Sequence, residues 1–252
     1  MTAQYQQFAE WLRTPLGQAL LKAEQKGLKS FWEYLRGNDL YMLGTGTQMM
    51  LTENNKVKKN IVIAPGRPII GKHDIPDETG DSLSIFPESI DNIFLPHTLE
   101  FTDDPYQTLR EVDLALCLDG HVIIIGFNPW SNWGLRHLFS FRKKMPWKGV
   151  FRGASQIKDW LRLLNFEILQ CQYLLYRPPF ANKKIFSGLK FLEILGKYLL
   201  PMLGGVYILI ARKKTFGVTP IKEQWKEVST AMSKGMIEPA ARIVPHEQNQ
   251  SS

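Results

Sequence analysis

Two stretches of the chain, His121 to Phe127 (HVIIIGF) and Gly205 to Ala211 (GVYILIA), are almost unbroken apolar runs. A strand with one face in water alternates apolar and polar residues. A run without alternation suits a strand covered on both faces, as in a parallel sheet between two layers of helix. Four more strand-like runs lie at Asp39 to Leu43, Asn60 to Ala64, Ile90 to Pro96 and Phe166 to Tyr176. Between and around them the apolar spacing is helical: Gln4 to Leu35, Pro105 to Leu118, Gln156 to Leu164 and Lys184 to Leu200. Strands that alternate with helices predict an α/β fold with a mostly parallel sheet and right-handed crossovers. Gly66 to Asp81, rich in Gly, Pro and Asp, reads as loop, and Thr47 to Lys59 as loop or a stunted helix.

Composition limits the class. The chain has 252 residues, 44% apolar and 22% charged, the balance of a soluble globular protein with one ordinary core. Its opening, MTAQYQQFAEWL, has no basic stretch followed by an apolar run, which predicts no signal peptide and a cytoplasmic protein. No run is long and apolar enough for a spanning helix. Cys117 and Cys171 form no CxxC and have no histidine at metal-ligand spacing, so they read as buried free thiols, and no metal site is expected. The net charge of +7 favours anionic partners without choosing among them. The stretch from Glu238 to Ser252 has little to bury and reads as a disordered tail.

Local chemistry explains several motifs. In Thr102-Asp103-Asp104-Pro105 a short acidic side chain caps free N–H groups, and Pro at the first helical position loses nothing. Leu109-Arg110-Glu111-Val112 turns apolar residues inward and an ion pair outward, and Asp119-Gly120 turns the chain into the next strand. These are structural roles. Taken together, Ile85 to Leu138 resembles the second half of the cofactor domain of small bacterial class I S-adenosyl-L-methionine (AdoMet) dependent methyltransferases, of the methyltransferase type 11 group. The strand, H-x-L-E, D-P, L-R-E-V and D-G elements occur there in that order. The continuation FNPWSNWGLR resembles a narrower group of uncharacterised methyltransferase-like proteins related to the enterobacterial YafS. The resemblance covers roughly residues 38 to 212.

It implies a three-layer Rossmann-like fold with a mostly parallel seven-stranded sheet over 38–212, preceded by a helical segment, 1–37, and followed by a tail, 213–252. It implies AdoMet as cofactor, bound by Gly44, Thr45, Gly46, Asp81, Pro96 and His97. Glycine suits Gly44 and Gly46 because a side chain would block close approach of the backbone to a ligand, although a plain turn needs glycine too. His97 lies where a residue faces the methyl group. It reads as a general base or as a residue that only packs against the cofactor. Three departures bear on the cofactor. The helix after the glycine turn is short. The second strand ends in Ala64-Pro65, without the carboxylate that holds the ribose hydroxyls. The spacing from Asp81, a candidate for the adenine amino group, to Asp91 is contracted. A nicotinamide dehydrogenase is disfavoured by the same missing acid and by Met49 at the third glycine of G-x-G-x-x-G.

From Asn128 to Arg152, Trp130, Trp133, Phe139, Phe141, Trp147 and Phe151 interleave with Arg136, Arg142, Lys143, Lys144, Lys148 and Arg152, with no Asp or Glu. Four readings stand: a lid over an apolar or anionic acceptor, a peripheral membrane contact, a stacking surface for single-stranded nucleic acid, or an aromatic core with a solvated basic rim. Nucleic acid is the least favoured partner. In the lid reading Asn128, Trp130 and Arg136 hold the acceptor. The functional expectation is methyl transfer to a small molecule; the alternative is a non-catalytic, methyltransferase-like binding protein with a degenerate cofactor site. Sequence leaves the oligomeric state open.

Overall fold

A computed structural model of the chain describes residues 2–64, 68–76, 82–140, 145–179, 188 and 191–214. The elements in order are α1 (Thr2–Leu12), α2 (Pro15–Leu28), β1 (Asp39–Leu43), a 3-10 turn (Gly46–Thr52), β2 (Lys59–Ile63), β3 (Gly71–Pro76), β4 (Ser82–Ile85), β5 (Ile90–Pro96) and α3 (Pro105–Ala115). There follow β6 (Leu116–Phe127), α4 (Asn132–Leu138), α5 (Ala154–Leu163), β7 (Phe166–Leu174), α6 (Phe191–Leu199), a second 3-10 turn (Pro201–Leu203) and β8 (Val206–Lys213). Residues Met1–Thr215 group as one compact unit. Of the tail expected over 213–252, Lys213 instead ends β8, and the residues from 215 on lie outside the described ones.

Six strands form one sheet in the order β2-β1-β5-β6-β8-β7. The pairs β1 with β2, β1 with β5 and β5 with β6 are parallel; β8 runs antiparallel to both β6 and β7. The α/β class and mostly parallel sheet agree with the sequence, but the described sheet has six strands rather than seven. Between β2 and β5 the chain makes a separate antiparallel pair, β3 with β4, instead of a crossover to a further strand. The stretch expected as loop, 66–81, therefore contains a strand.

The sheet has a core on each face, because successive side chains of a strand point to opposite sides. Leu40, Met42, Phe94, Ile123, Ile125 and Ile208 face a layer made by Tyr5, Phe8, Leu12, Leu20, Leu21 and Leu28 of α1 and α2. Tyr41, Leu43, Ile93, Leu95, Val122 and Leu209 face Leu109 and Val112 of α3 and Ile157 and Leu161 of α5. Each such side chain, fully buried, contributes roughly 1.5–3 kcal/mol.

Two helix expectations are corrected. The helix predicted over Gln4 to Leu35 breaks at Thr14, which is extended (φ −68, ψ 159). Pro15 disfavours a helical conformation in the residue before it, and the Thr14 hydroxyl accepts from Gly17 N at 3.2 Å as a cap. The helix predicted to Leu118 ends at Ala115, so Cys117 lies in β6, and Asp119-Gly120 falls inside that strand, where its register against β5 shifts. Both cysteines are free and half-buried. Of the helix expected from Lys184, Phe191–Leu199 is described as a continuous element. The cap at Asp104 forms as expected, accepting from Gln107 N at 2.9 Å. Among the described residues, no helix is long and apolar enough to cross a membrane.

Candidate functional site at the carboxyl edge of the sheet

From β1 the chain turns to β2 on one side; β5 and β6 lie on the other. Open α/β sheets bind ligands in the crevice outside the strand ends at such a switch point. Gly44, Thr45 and Gly46 leave β1 there, and Pro96 and His97 end β5 beside them. The two glycines differ. A Cβ on the buried Gly44 would lie 2.9 Å from Gln48 Oε1 and 3.2 Å from Pro96 Cγ. A Cβ on the exposed Gly46 would meet no atom within 4 Å.

Gln48 is fully buried between the two strand ends. Its amide donates to the Pro96 carbonyl at 2.8 Å, and its Oε1 accepts from Thr45 N at 3.0 Å. The Thr45 hydroxyl lies 3.2 Å from the same oxygen. Thr98 Oγ1 donates to the Leu43 carbonyl at 2.6 Å, a second tie between the loops. The sequence reading did not single out Gln48, although Thr45-x-x-Gln48 has the spacing of a capping box.

His97 has φ +55, a left-handed conformation uncommon outside glycine, and its side chain is entirely buried. Nε2 lies 2.7 Å from Glu24 Oε1 of α2, and Nδ1 lies 3.2 Å from Glu100 Oε1. Glu100 Oε1 also accepts from Phe127 N at 2.7 Å. Burial alone would lower the imidazole pKa, but the Glu24 charge and the hydrogen bonds to Glu100 and Glu24 lift it to about 9. Burial pushes the Glu24 carboxyl up, against the pull of His97. Glu24 Oε2 and Glu100 Oε2 are buried without a hydrogen-bond partner. With both nitrogens engaged and no exposed surface, this ring is held as a cation that fastens α2 to the end of β5. Glu24 was also overlooked in the sequence, yet it shares the buried stripe of Leu20, Leu21 and Leu28 at helical spacing.

Rings fill the space above. Phe127 packs on His97 with centroids 4.2 Å apart and stacks on Phe151 at 4.7 Å and Trp133 at 5.7 Å. Phe8 of α1 sits 5.4 Å from His97, and Tyr5 OH donates to the Thr98 carbonyl at 2.6 Å. Trp133 and Phe151 are thus core. Asn128 is buried; its amide donates to the Met202 and Gly204 carbonyls, and its Oδ1 accepts from Trp130 N. Trp130 itself is 77% exposed. Arg136 donates to the Pro179 carbonyl at 2.8 Å and lies over the Trp147 ring. Asp81 and Arg142, Lys143 and Lys144 lie outside the described residues. β2 ends at Ile63, with Ala64 exposed.

A cavity of about 400 Å³ opens at the other edge of the sheet, lined by Arg36, Gly37, Asp91, Asp119 and His121 among others. Asp91 there accepts from Asn38 N at 2.7 Å, so it belongs to the amino ends of the strands and not to the glycine turn.

No family model matches the chain. It is 32% identical over 217 residues to the uncharacterised protein YafS of Escherichia coli K12, covering 84% of this chain and 85% of that one. In fold it is similar to a SAM-dependent methyltransferase from Thermotoga maritima, with 18% identity, coverage of 77% of this chain and 89% of the other, and a TM-score of 0.51.

Proposed function

The chain belongs to the YafS family, and from that premise we propose that it is an AdoMet-dependent methyltransferase acting on a small apolar or anionic acceptor. The observation that carries this reading is the contrast between the two glycines. Gly44 is walled in by Gln48 and Pro96, whereas a Cβ at Gly46 would point into open space at the switch point. A turn closed toward the protein and open toward the crevice suits a backbone approached closely by a ligand. The fit is incomplete at the end of β2. Ala64 offers no carboxylate, so ribose hydroxyls would bond to water or backbone, each bond contributing about 0.5–1.5 kcal/mol net.

When bound, AdoMet supplies an electrophilic methyl group. Gly46 would admit it, and Thr45 would present its hydroxyl. The Pro96 carbonyl becomes available as an acceptor once the Gln48 amide turns away. His97 acts as a positioning cation that fixes the end of β5 and does not collect the acceptor's proton. The chain's contribution is then alignment and exclusion of water. The buried rings of Phe127, Trp133 and Phe151 form a packed apolar support beneath the acceptor side, and the exposed Arg136 at its rim favours negative charge.

The hydrogen bond from Gln48 to Pro96 O favours a second reading, a non-catalytic binding protein whose crevice is closed by its own side chain. Calorimetry with AdoMet and S-adenosylhomocysteine separates the two. The enzyme reading expects the natural protein to bind both ligands and a folded Gly46→Val variant to bind neither. If neither the natural protein nor Gln48→Gly binds either ligand, the enzyme reading fails.

A further inference from the structure

The cavity at the amino edge of the sheet, about 400 Å³, is large enough for a small molecule. It lies at the opposite end of the strands from the glycine turn. Tyr34, Leu118 and Leu169 give it apolar surface. Among its polar side chains, His121 and Arg212 stand at paired positions of β6 and β8. His121 is only 5% exposed, and its Nδ1 has no hydrogen-bond partner. Arg212 Nε is likewise buried and unpaired, although a terminal nitrogen donates to Glu167 at 2.7 Å. Buried polar atoms are normally satisfied, so this lining calls for a polar occupant. Two exposed charges flank it. Arg36 Nη1 donates to the Glu33 and Leu35 carbonyls, and the guanidinium forms no ion pair among the described residues. The Asp119 carboxylate, on a residue with φ +62, accepts no hydrogen bond from a described residue and lies within electrostatic reach of His121 and Arg212.

We infer that this cavity binds a small zwitterion, an α-amino acid with an apolar side chain, its carboxylate toward Arg36 and its ammonium toward Asp119. Formal charge selects the class. Arg36 and Arg212 on the lining are matched by Asp91 and Asp119, so neither a dianion such as phosphate nor a bare cation is favoured, whereas a ligand with one charge of each sign is complementary. Asp91 is committed to the fold: it accepts from Asn38 N at 2.7 Å and Asp39 N at 3.4 Å, and the Cys117 thiol lies 3.7 Å from its other oxygen. That leaves Asp119 for the ammonium. Burial, then the Arg212 and Arg36 charges, hold the His121 pKa below its ordinary value, against the pull of Asp119. The neutral ring thus sits in a positive field, and a neutral imidazole still donates one N–H, so the carboxylate end belongs on this side. The apolar side chain would pack on Tyr34, Leu118 and Leu169. Among the described residues, no group of three or more His, Cys, Asp and Glu side chains is placed to hold a metal ion instead.

The test is calorimetry on the full chain with L-leucine, L-methionine and L-phenylalanine. Each is compared with its own deamino acid and its own amine, which for leucine are isocaproate and isoamylamine, and with inorganic phosphate. At least one amino acid should bind, and both of its single-charge analogues should bind at least about tenfold more weakly. Arg36→Gln and Asp119→Asn change exposed side chains, and Asn tolerates the left-handed backbone at position 119. Both variants should keep the melting temperature and lower affinity for that amino acid at least about tenfold. Gly46→Val should leave this affinity unchanged, because an amino acid held in the crevice at the other edge would respond to it. Four results overturn the proposal: no binding of any of the three amino acids at millimolar concentration, a deamino acid or phosphate bound as tightly as the amino acid, unchanged affinity in both folded variants, or binding abolished by Gly46→Val.

Discussion

Replacing His97 by Gln separates two roles for this histidine. As the structure places it, the ring is a buried cation between Glu24 and Glu100, so the main consequence should appear in folding. Removing one partner of a buried ion pair leaves charge uncompensated, at a cost of about 3–5 kcal/mol. The pH dependence gives a sharper signature. The imidazole pKa rises from its ordinary 6.5 to about 9 on folding. The folded state therefore holds the proton more tightly, and the stabilisation is fully present below pH 6.5. It is lost as pH rises through 9. The size follows from the shift, on the order of 3 kcal/mol. The elevated Glu24 pKa acts in the same direction, because the folded state again binds the proton more tightly than the unfolded chain. Urea unfolding at closely spaced pH values should show the natural protein losing stability between pH 6.5 and 9. His97→Gln should be less stable at pH 6.5 and nearly flat across that window. Glu24→Gln removes the charge that lifts the imidazole, so it should shrink the slope. A flat profile for the natural protein, or His97→Gln with unchanged stability and only turnover lost, would refute the clamp and return His97 to the role of an accessible base.

Two further substitutions probe the crevice and the aromatic core. Gln48→Gly frees the Pro96 carbonyl; calorimetry should show AdoMet affinity rising about two- to tenfold, the equivalent of one net hydrogen bond. Trp133→Ala empties a fully buried site that stacks on Phe127, and denaturant unfolding should show a loss of about 3–5 kcal/mol.

The sheet was legible because its strands are apolar runs bounded by turn residues. Asp39–Leu43 and Ile90–Pro96 were read to the residue, and the other four were found with shifted ends. The break at Thr14 was also written in the chain, as Thr-Pro within a helical pattern. It was overridden by the periodicity on either side. Partners distant in sequence were not legible. Glu24 meets His97 across 73 positions, and Gln48 meets Pro96 across 48. A buried carboxylate can be suspected from an apolar stripe, but its partner is fixed only when the sheet brings the strand end beside the helix.

These long-range contacts follow from the short element after β1. Where an α/β unit would run a full helix across one face of the sheet, this chain has a 3-10 turn, Gly46–Thr52. The vacant face is apolar, with Leu40, Met42 and Phe94 among the residues exposed if nothing covered it. Helices α1 and α2 supply the cover, and covering it brings Tyr5, Phe8 and Glu24 to the ends of β5 and β6. The His97 clamp and the ring cluster thus stand at this edge of the sheet because the N-terminal segment substitutes for a shortened helix. Tyr5 and Phe8 of α1 thereby cover this edge, and the Glu24–His97 pair ties α2 to the end of β5.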